Sequence, residues 1–295
     1  MPSSAGPHLR IVAAAALFST GGAAIKACAF DSLAVAGLRS GIAALALLLL
    51  SAPARRGLLP WRWSTAVIGC AYAATLISFV TANKLTTAAS TIFLQSTAPL
   101  YLLVLGPWLL KERVRRKDLL FMAAVGIGLA VFFVRTDVAG VSAPDPARGN
   151  LFALLSGFCY ALTVTGLRWV AREDAAAGAE TQRAAAVVLL GNAIGCAVCL
   201  PWAVPVSGTI QDWAVLTYLG VFQIALAYTL LTRALRSTSA LEVSLLLLIE
   251  PVLNPIWAWL AQGEAPGGWV LAGGLIILVA TALRTWSDVR YHAAP

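Results

Sequence analysis

Residues 86–112, TTAASTIFLQSTAPLYLLVLGPWLLKE, and residues 238–264, TSALEVSLLLLIEPVLNPIWAWLAQGE, are two versions of one segment. Thr86-Thr87-Ala88 aligns with Thr238-Ser239-Ala240, Pro99 with Pro251 and Glu112 with Glu264, always at the same offset. Each stretch is a long apolar run entered through a small polar pair, interrupted by a proline and closed by a glutamate. The chain is internally duplicated. If each copy holds an odd number of membrane spans, the copies insert with opposite orientation, an inverted symmetry common among secondary transporters.

The rest of the chain agrees with a membrane setting. Hydrophobic residues make up 60% of it, charged residues 12%, and the mean hydropathy is +0.83, whereas soluble domains carry roughly a quarter charged residues. A span needs about 20 mainly apolar residues to cross about 30 Å of hydrocarbon. The apolar runs predict ten spans, at 9–27, 33–52, 64–83, 87–110, 118–135, 149–170, 183–204, 212–231, 239–261 and 267–286. Asp137, Gly140, Pro144, Asp145 and Pro146 break the pattern midway. The predicted organisation is a first repeat over 1–136, a linker over 137–148 and a second repeat over 149–295. Phe18 followed by Lys26 in span one, and Tyr160 followed by Arg168 in span six, give a second, weaker match between the halves.

The net charge of +8 reads as topology rather than as a nucleic-acid surface. Of the 21 basic residues, all but Lys26, Lys84, Arg135, Arg148 and the intramembrane Arg39 fall on the side that holds the N-terminus. By the positive-inside rule both termini are then cytoplasmic. The apolar run from Leu9 to Ala27 lacks a cleavable exit and reads as span one rather than as a signal peptide. Cys196 and Cys199 have CxxC spacing, but no second pair or histidine cluster accompanies them, so small buried side chains are the default reading. No phosphate loop, HExxH, GxSxG or DxD-like carboxylate pair occurs, and the two histidines, His8 and His292, lie in the tails. No enzyme activity, metal or cofactor is expected.

Polar residues within spans are the candidates for function. Glu250 lies near the predicted midplane of span nine, where an ionisable side chain is costly and marks a pathway or a partner. Asn254 and Trp257 follow at i+4 and i+7, which sets a carboxylate, an amide and a ring on one helix face. That stripe suits a substrate's ammonium group and ring; the alternatives are a protonated or arginine-paired glutamate that locks helices together, or proton coupling. Thr87, Thr91 and Gln95 form a neutral stripe running towards Pro99. Pro99 and Pro251 are expected to kink their spans about halfway along, either shaping a central cavity or serving packing alone. Arg39, in the outer third of span two, is suited either to a salt bridge with a glutamate or to a substrate carboxylate, and Glu242 to a gate or an interfacial ion pair. Ser19, Thr20, Tyr72, Ser78, Tyr101, Tyr160, Thr163, Asn192, Gln223 and Tyr228 complete the cavity candidates, although interhelical hydrogen bonds use the same residue types. The glycine pairs Gly37/Gly41, Gly191/Gly195 and Gly126/Gly128 read as helix packing.

From Ala225-Leu226-Ala227-Tyr228, through Thr238-Ser239-Ala240 and Ile249-Glu250-Pro251, to Gly263-Glu264, the chain resembles the second repeat of the drug/metabolite transporter superfamily, EamA-type branch. Thr86-Thr87-Ala88-Ala89, Ala98-Pro99 and Leu110-Lys111-Glu112 parallel it in the first half. The resemblance implies an all-α membrane protein of ten helices, arranged as two inverted five-helix repeats around a central cavity lined by helices one to four and six to nine. It further implies alternating access, export of amino acids and other small metabolites from the bacterial cytoplasm across the inner membrane, and a monomer as the working unit. Within the branch, the aromatic amino acid exporters are the nearest specific expectation. The implied partners are a small-molecule substrate and membrane lipid, with no nucleic acid; a lipid or lipid-linked metabolite flippase subunit is the alternative.

Overall fold

The computed structural model describes residues 5–59, 61–105, 116–134, 140–176, 182–204, 207–234 and 246–292. Apart from an isolated bridge between Gly140 and Ala143, the regular structure among them is helical, as hydrocarbon demands of a segment that must satisfy its own backbone groups. The first half holds α1 (Ala5–Ser19), α2 (Gly21–Ala27), α3 (Ser32–Leu50), the short α4 (Ala52–Arg56), α5 (Trp63–Leu85), α6 (Ala88–Gln95), α7 (Ala98–Leu105) and α8 (Arg116–Phe132). The second holds α9 (Pro146–Ala176), α10 (Arg183–Ala203), α11 (Ile210–Thr217), α12 (Ala227–Ala234), α13 (Ile249–Gln262) and α14 (Gly268–His292). Six segments have the length and apolarity to cross a membrane: Gly6–Ala27, Ser32–Leu50, Trp63–Leu85, Pro146–Leu167, Arg183–Ala203 and Ile210–Leu231. Asp118–Phe132 and Gly268–Leu283 are shorter apolar helices. Glu112, Thr238-Ser239-Ala240 and Glu242 lie outside the described residues.

Several predicted spans are broken. Thr20 separates α1 from α2, its hydroxyl donating to the Leu17 carbonyl at 2.7 Å. Residues 96–97 separate α6 from α7, where the Ser96 and Thr97 hydroxyls donate to the Ile92 and Leu94 carbonyls. Pro99 and Pro251 are therefore not mid-helix kinks: they occupy the first turns of α7 and α13, each just after a break, where a missing N–H costs least. Pro99 leaves the Gln95 carbonyl without its helical donor, and α9 approaches that carbonyl at Gly157, where a Cβ would stand 3.1 Å from it. Between α11 and α12 the helix runs as π-helix over Tyr218–Leu226. The sixth span begins slightly earlier than expected, because α9 starts at Pro146, and it runs on to Ala176.

Contacts between the halves follow one pattern. α5 packs on α9 and α12 on α1; α5 packs on α10 and the π-helical segment on α3; α6 and α7 pack on α9, and α13 packs on α1 and α2. α3 meets α10, α6 meets α13 and α8 meets α14. Exchanging 5–134 with 140–292 maps each of these pairs onto another or onto itself.

Close approach explains the small residues. A Cβ on Gly37 would stand 2.8 Å from Cys199 Cβ, and one on Gly41 would stand 2.8 Å from Cys196 Sγ. The CxxC spacing thus sets two free, small side chains into the two glycine notches of α3. Gly191 lies against Tyr72 and Gly69. Of the pair on α8, Gly128 packs against Gly273 and Ile277, whereas Gly126 meets nothing within 4 Å; only one of the two serves helix packing.

Candidate functional site: a central cavity

Between the halves lies a cavity of about 230 Å³. Six of the sixteen candidate residues line it, Arg39, Gln95, Tyr160, Gln223, Tyr228 and Glu250, together with Pro99 and Pro251. The helix breaks bring them there. Glu250 is the second residue of α13, so the turn at Leu248 aims the carboxylate inward from a helix start instead of from the middle of a continuous span. Gln223 sits in the π-helical segment, its amide nitrogen close to Gly21 just past the α1–α2 break. Its Oε1 has no hydrogen-bond partner. Irregular backbone of this kind is tolerated at membrane depth where it lines a cavity.

The polar groups differ in how far they are committed. Gln95 Nε2 donates to Ser156 Oγ at 2.7 Å, and that hydroxyl donates in turn to the Thr75 carbonyl at 3.2 Å, which ties α6, α9 and α5 together. Tyr228 makes edge contacts with Phe18 at 5.0 Å and Tyr72 at 5.7 Å between ring centroids. Glu250 forms no hydrogen bond or ion pair among the described residues. Arg39 is 1% exposed, and neither its Nε nor its Nη1 has a hydrogen-bond partner. The salt bridge between an intramembrane arginine and a glutamate that the sequence allowed is absent among the described residues.

The other candidates lie away from the cavity wall. Ser19 accepts a hydrogen bond from Trp257 Nε1 at 2.9 Å, and Thr20 pairs with the Tyr218 hydroxyl at 2.8 Å; both contacts fasten the α1–α2 break. Asn254 is fully buried against Gly22. Glu250, Asn254 and Trp257 therefore share a helix but serve three environments. Tyr72 receives a long contact from Asn192 Nδ2 at 3.5 Å, and Asn192 also donates to the Val188 carbonyl at 2.8 Å. Thr91 and Thr163 donate to carbonyls one turn earlier in their own helices. Ser78 is buried in α5, and Tyr101 packs edge-on against Phe158 at 5.6 Å.

Sequence reasoning missed the apolar lining, chiefly Phe18, Leu76, Phe79, Ile92 and Ile224, and the hydroxyls of Ser96 and Thr281. Thr281 belongs to α14, so the last helix is not purely peripheral. Also missed was the closure of one bundle end. Lys26 Nζ donates to the Thr86 carbonyl at 2.8 Å and to the Ser142 carbonyl, and lies 3.0 Å from Glu264 Oε2. Glu264 Oε2 has no hydrogen-bond partner, so its contact with Lys26 is charge pairing more than a directed hydrogen bond. Glu264 Oε1 accepts from the Ala88 N–H at the start of α6, an orphan donor of the helix. Thr86 Oγ1 donates to Asn150 Oδ1 at 3.0 Å. Lys26, the span-one cation, and Glu264, the closing glutamate of the duplicated segment, thus complete one another.

The profile of the EamA-like transporter family matches residues 7–134 and again 147–286. Two sequences of the pseudopaline exporter CntI of Pseudomonas aeruginosa are similar in part. The one from strain UCBPP-PA14 is 36% identical over 85 residues, 28% of this chain and 30% of that protein. The one from strain PAO1 is 37% identical over 75 residues, 25% of this chain and 26% of that protein. The chain thus matches less than a third of the length of these relatives. A solved crystal structure aligns over 99% of this chain and 100% of its own with a TM-score of 0.63 at 22% identity, a likeness of fold.

Proposed function

The chain belongs to the EamA-like transporter family, a family of membrane transporters, and from that premise we propose that it exports small metabolites, amino acids with aromatic or hydrophobic side chains foremost, by alternating access. The carrying observation is the cavity between the halves, lined by one buried cation, one carboxylate, two tyrosines and apolar side chains. Its volume of about 230 Å³ is below the roughly 300–1,000 Å³ of sites for drug-sized ligands, which favours a small metabolite. The proposal includes ten helices in two inverted five-helix repeats, with both termini cytoplasmic and Lys26 and Glu264 at the outer end, in the inner membrane of a bacterium, working as a monomer. Substrate shifts the inward and outward states only through differential affinity for them. The partial likeness to the pseudopaline exporters favours a second reading, export of a molecule of that kind.

Counterflow of labelled phenylalanine or tryptophan into liposomes holding the purified protein, against a panel of unlabelled amino acids, tests the proposal. Saturable exchange competed by aromatic amino acids, and reduced in Gln95→Ala and Glu250→Gln, is expected. Folded protein that exchanges no amino acid would refute the amino acid reading.

A further inference from the structure

Arg39 is fully enclosed by protein, faces the cavity and leaves two of its nitrogens unpartnered. No carboxylate among the described residues pairs with it; the described ion pairs are Lys26 with Glu264, Arg148 with Asp145, and Arg62 and Arg183 with Glu173. A buried charge without a partner is among the costliest groups a protein can hold. Glu250 lines the same cavity and does not neutralise it. A cation and a carboxyl group therefore stand uncommitted in one small, mostly apolar chamber.

We propose that Arg39 is the carboxylate-recognition residue of this cavity, so that the substrate is a small amphipathic carboxylate. The planar guanidinium fork matches a carboxylate with two parallel hydrogen bonds, from Nε with Nη2 or from Nη1 with Nη2, and each of these two edges carries one of the unpartnered nitrogens, Nε and Nη1. The apolar body of the substrate lies against Phe18, Leu76 and Phe79, and an amino group, where present, faces Glu250. A dianion such as phosphate is disfavoured, because Arg39 is the one cation among the described lining residues and a second negative charge would stay unbalanced in a mostly apolar chamber. The inference rests on the reading of the cavity as the transport site and deepens it.

The test is ligand-dependent thermal unfolding of the purified full chain in detergent, wild type beside Arg39→Met and Arg39→Lys. The probes are acetate, leucine and phenylalanine, the amine and amide matching each amino acid, and inorganic phosphate. Ligand-free Arg39→Met is expected to unfold at or above the wild-type temperature, since a buried charge is removed. Carboxylates are expected to stabilise wild type saturably, with half-saturation at least about tenfold weaker in Arg39→Met and partly retained in Arg39→Lys. Amines and amides should respond equally in wild type and Arg39→Met.

Three ligand responses overturn the proposal: no carboxylate stabilises wild type, phosphate stabilises it as well as any carboxylate does, or carboxylates act equally on Arg39→Met. A ligand-free Arg39→Met that unfolds several degrees lower also overturns it, because Arg39 is then tied into the fold. Carboxylate binding without counterflow would sink the transport reading and leave the carboxylate site standing.

Discussion

At the scale of single residues, charges at the two levels of the bundle do different work. Lys26 and Glu264 have side chains only 5% and 2% exposed, and each is held by further hydrogen bonds to backbone. Removing one partner strands the other; such losses typically cost about 3–5 kcal/mol. Glu264→Ala is therefore expected to lower the thermal unfolding midpoint clearly, and Lys26→Met with Glu264→Met to lower it by less than the sum of the two single changes. Strict additivity in that cycle would show that the pair is not coupled. Arg39 is expected to behave oppositely, because its Nε and Nη1 have no partner to strand. The expense of Glu250 and Arg39 was legible from sequence, because an ionisable side chain inside an apolar run stands out. The Lys26–Glu264 pairing was not, since the two residues sit in different halves and nothing local links them. The apolar lining was equally hidden: Phe18 or Phe79 reads alike whether it faces lipid, a neighbouring helix or a cavity.

At the scale of elements, helix breaks and glycine notches decide what can move and what cannot. A Cβ on Gly273 would stand 2.6 Å from both the Gly128 carbonyl oxygen and the Phe132 nitrogen, backbone atoms that cannot yield. Gly273→Ala is expected to part α8 from α14 at a cost of about 1–3 kcal/mol. Gly126→Ala, with open space around it, should be neutral or slightly stabilising through helix propensity. Thermal unfolding of the two variants separates these outcomes, and equal behaviour would contradict the packing described. Pro99→Ala restores an N–H that the Gln95 carbonyl can accept, which favours one continuous helix over the α6–α7 break. Counterflow is expected to slow while the unfolding midpoint holds or rises; an unchanged rate would show that the break is not used in transport. Both prolines flagged an interruption in the sequence, and the structure places it two or three residues earlier, where Ser96 and Thr97 tie off carbonyls with their hydroxyls. The π-helical stretch YLGVFQIAL has no compositional mark that distinguishes it from an ordinary apolar helix, so the placement of Gln223 beside Gly21 could only come from the fold.

At the scale of the whole molecule, two copies of one segment pack so that the principal contacts of each half with the other have counterparts, with the cavity where the copies meet. The 86–112 and 238–264 repeat foretold that duplication, because a shared pattern of cap, proline and glutamate survives where overall similarity has faded. Alternating access requires that cavity to be reached from one side of the membrane at a time. The most direct measurement is thiol accessibility at Gln95→Cys and Glu250→Cys, each in a background where Cys28, Cys70, Cys159, Cys196 and Cys199 are replaced by alanine. A hydrophilic thiol reagent is applied separately from each side of the membrane, with and without saturating substrate. The account predicts that both positions react from at least one side and that substrate changes which side reaches them. Positions closed to the reagent from both sides, in protein that still folds, would contradict it.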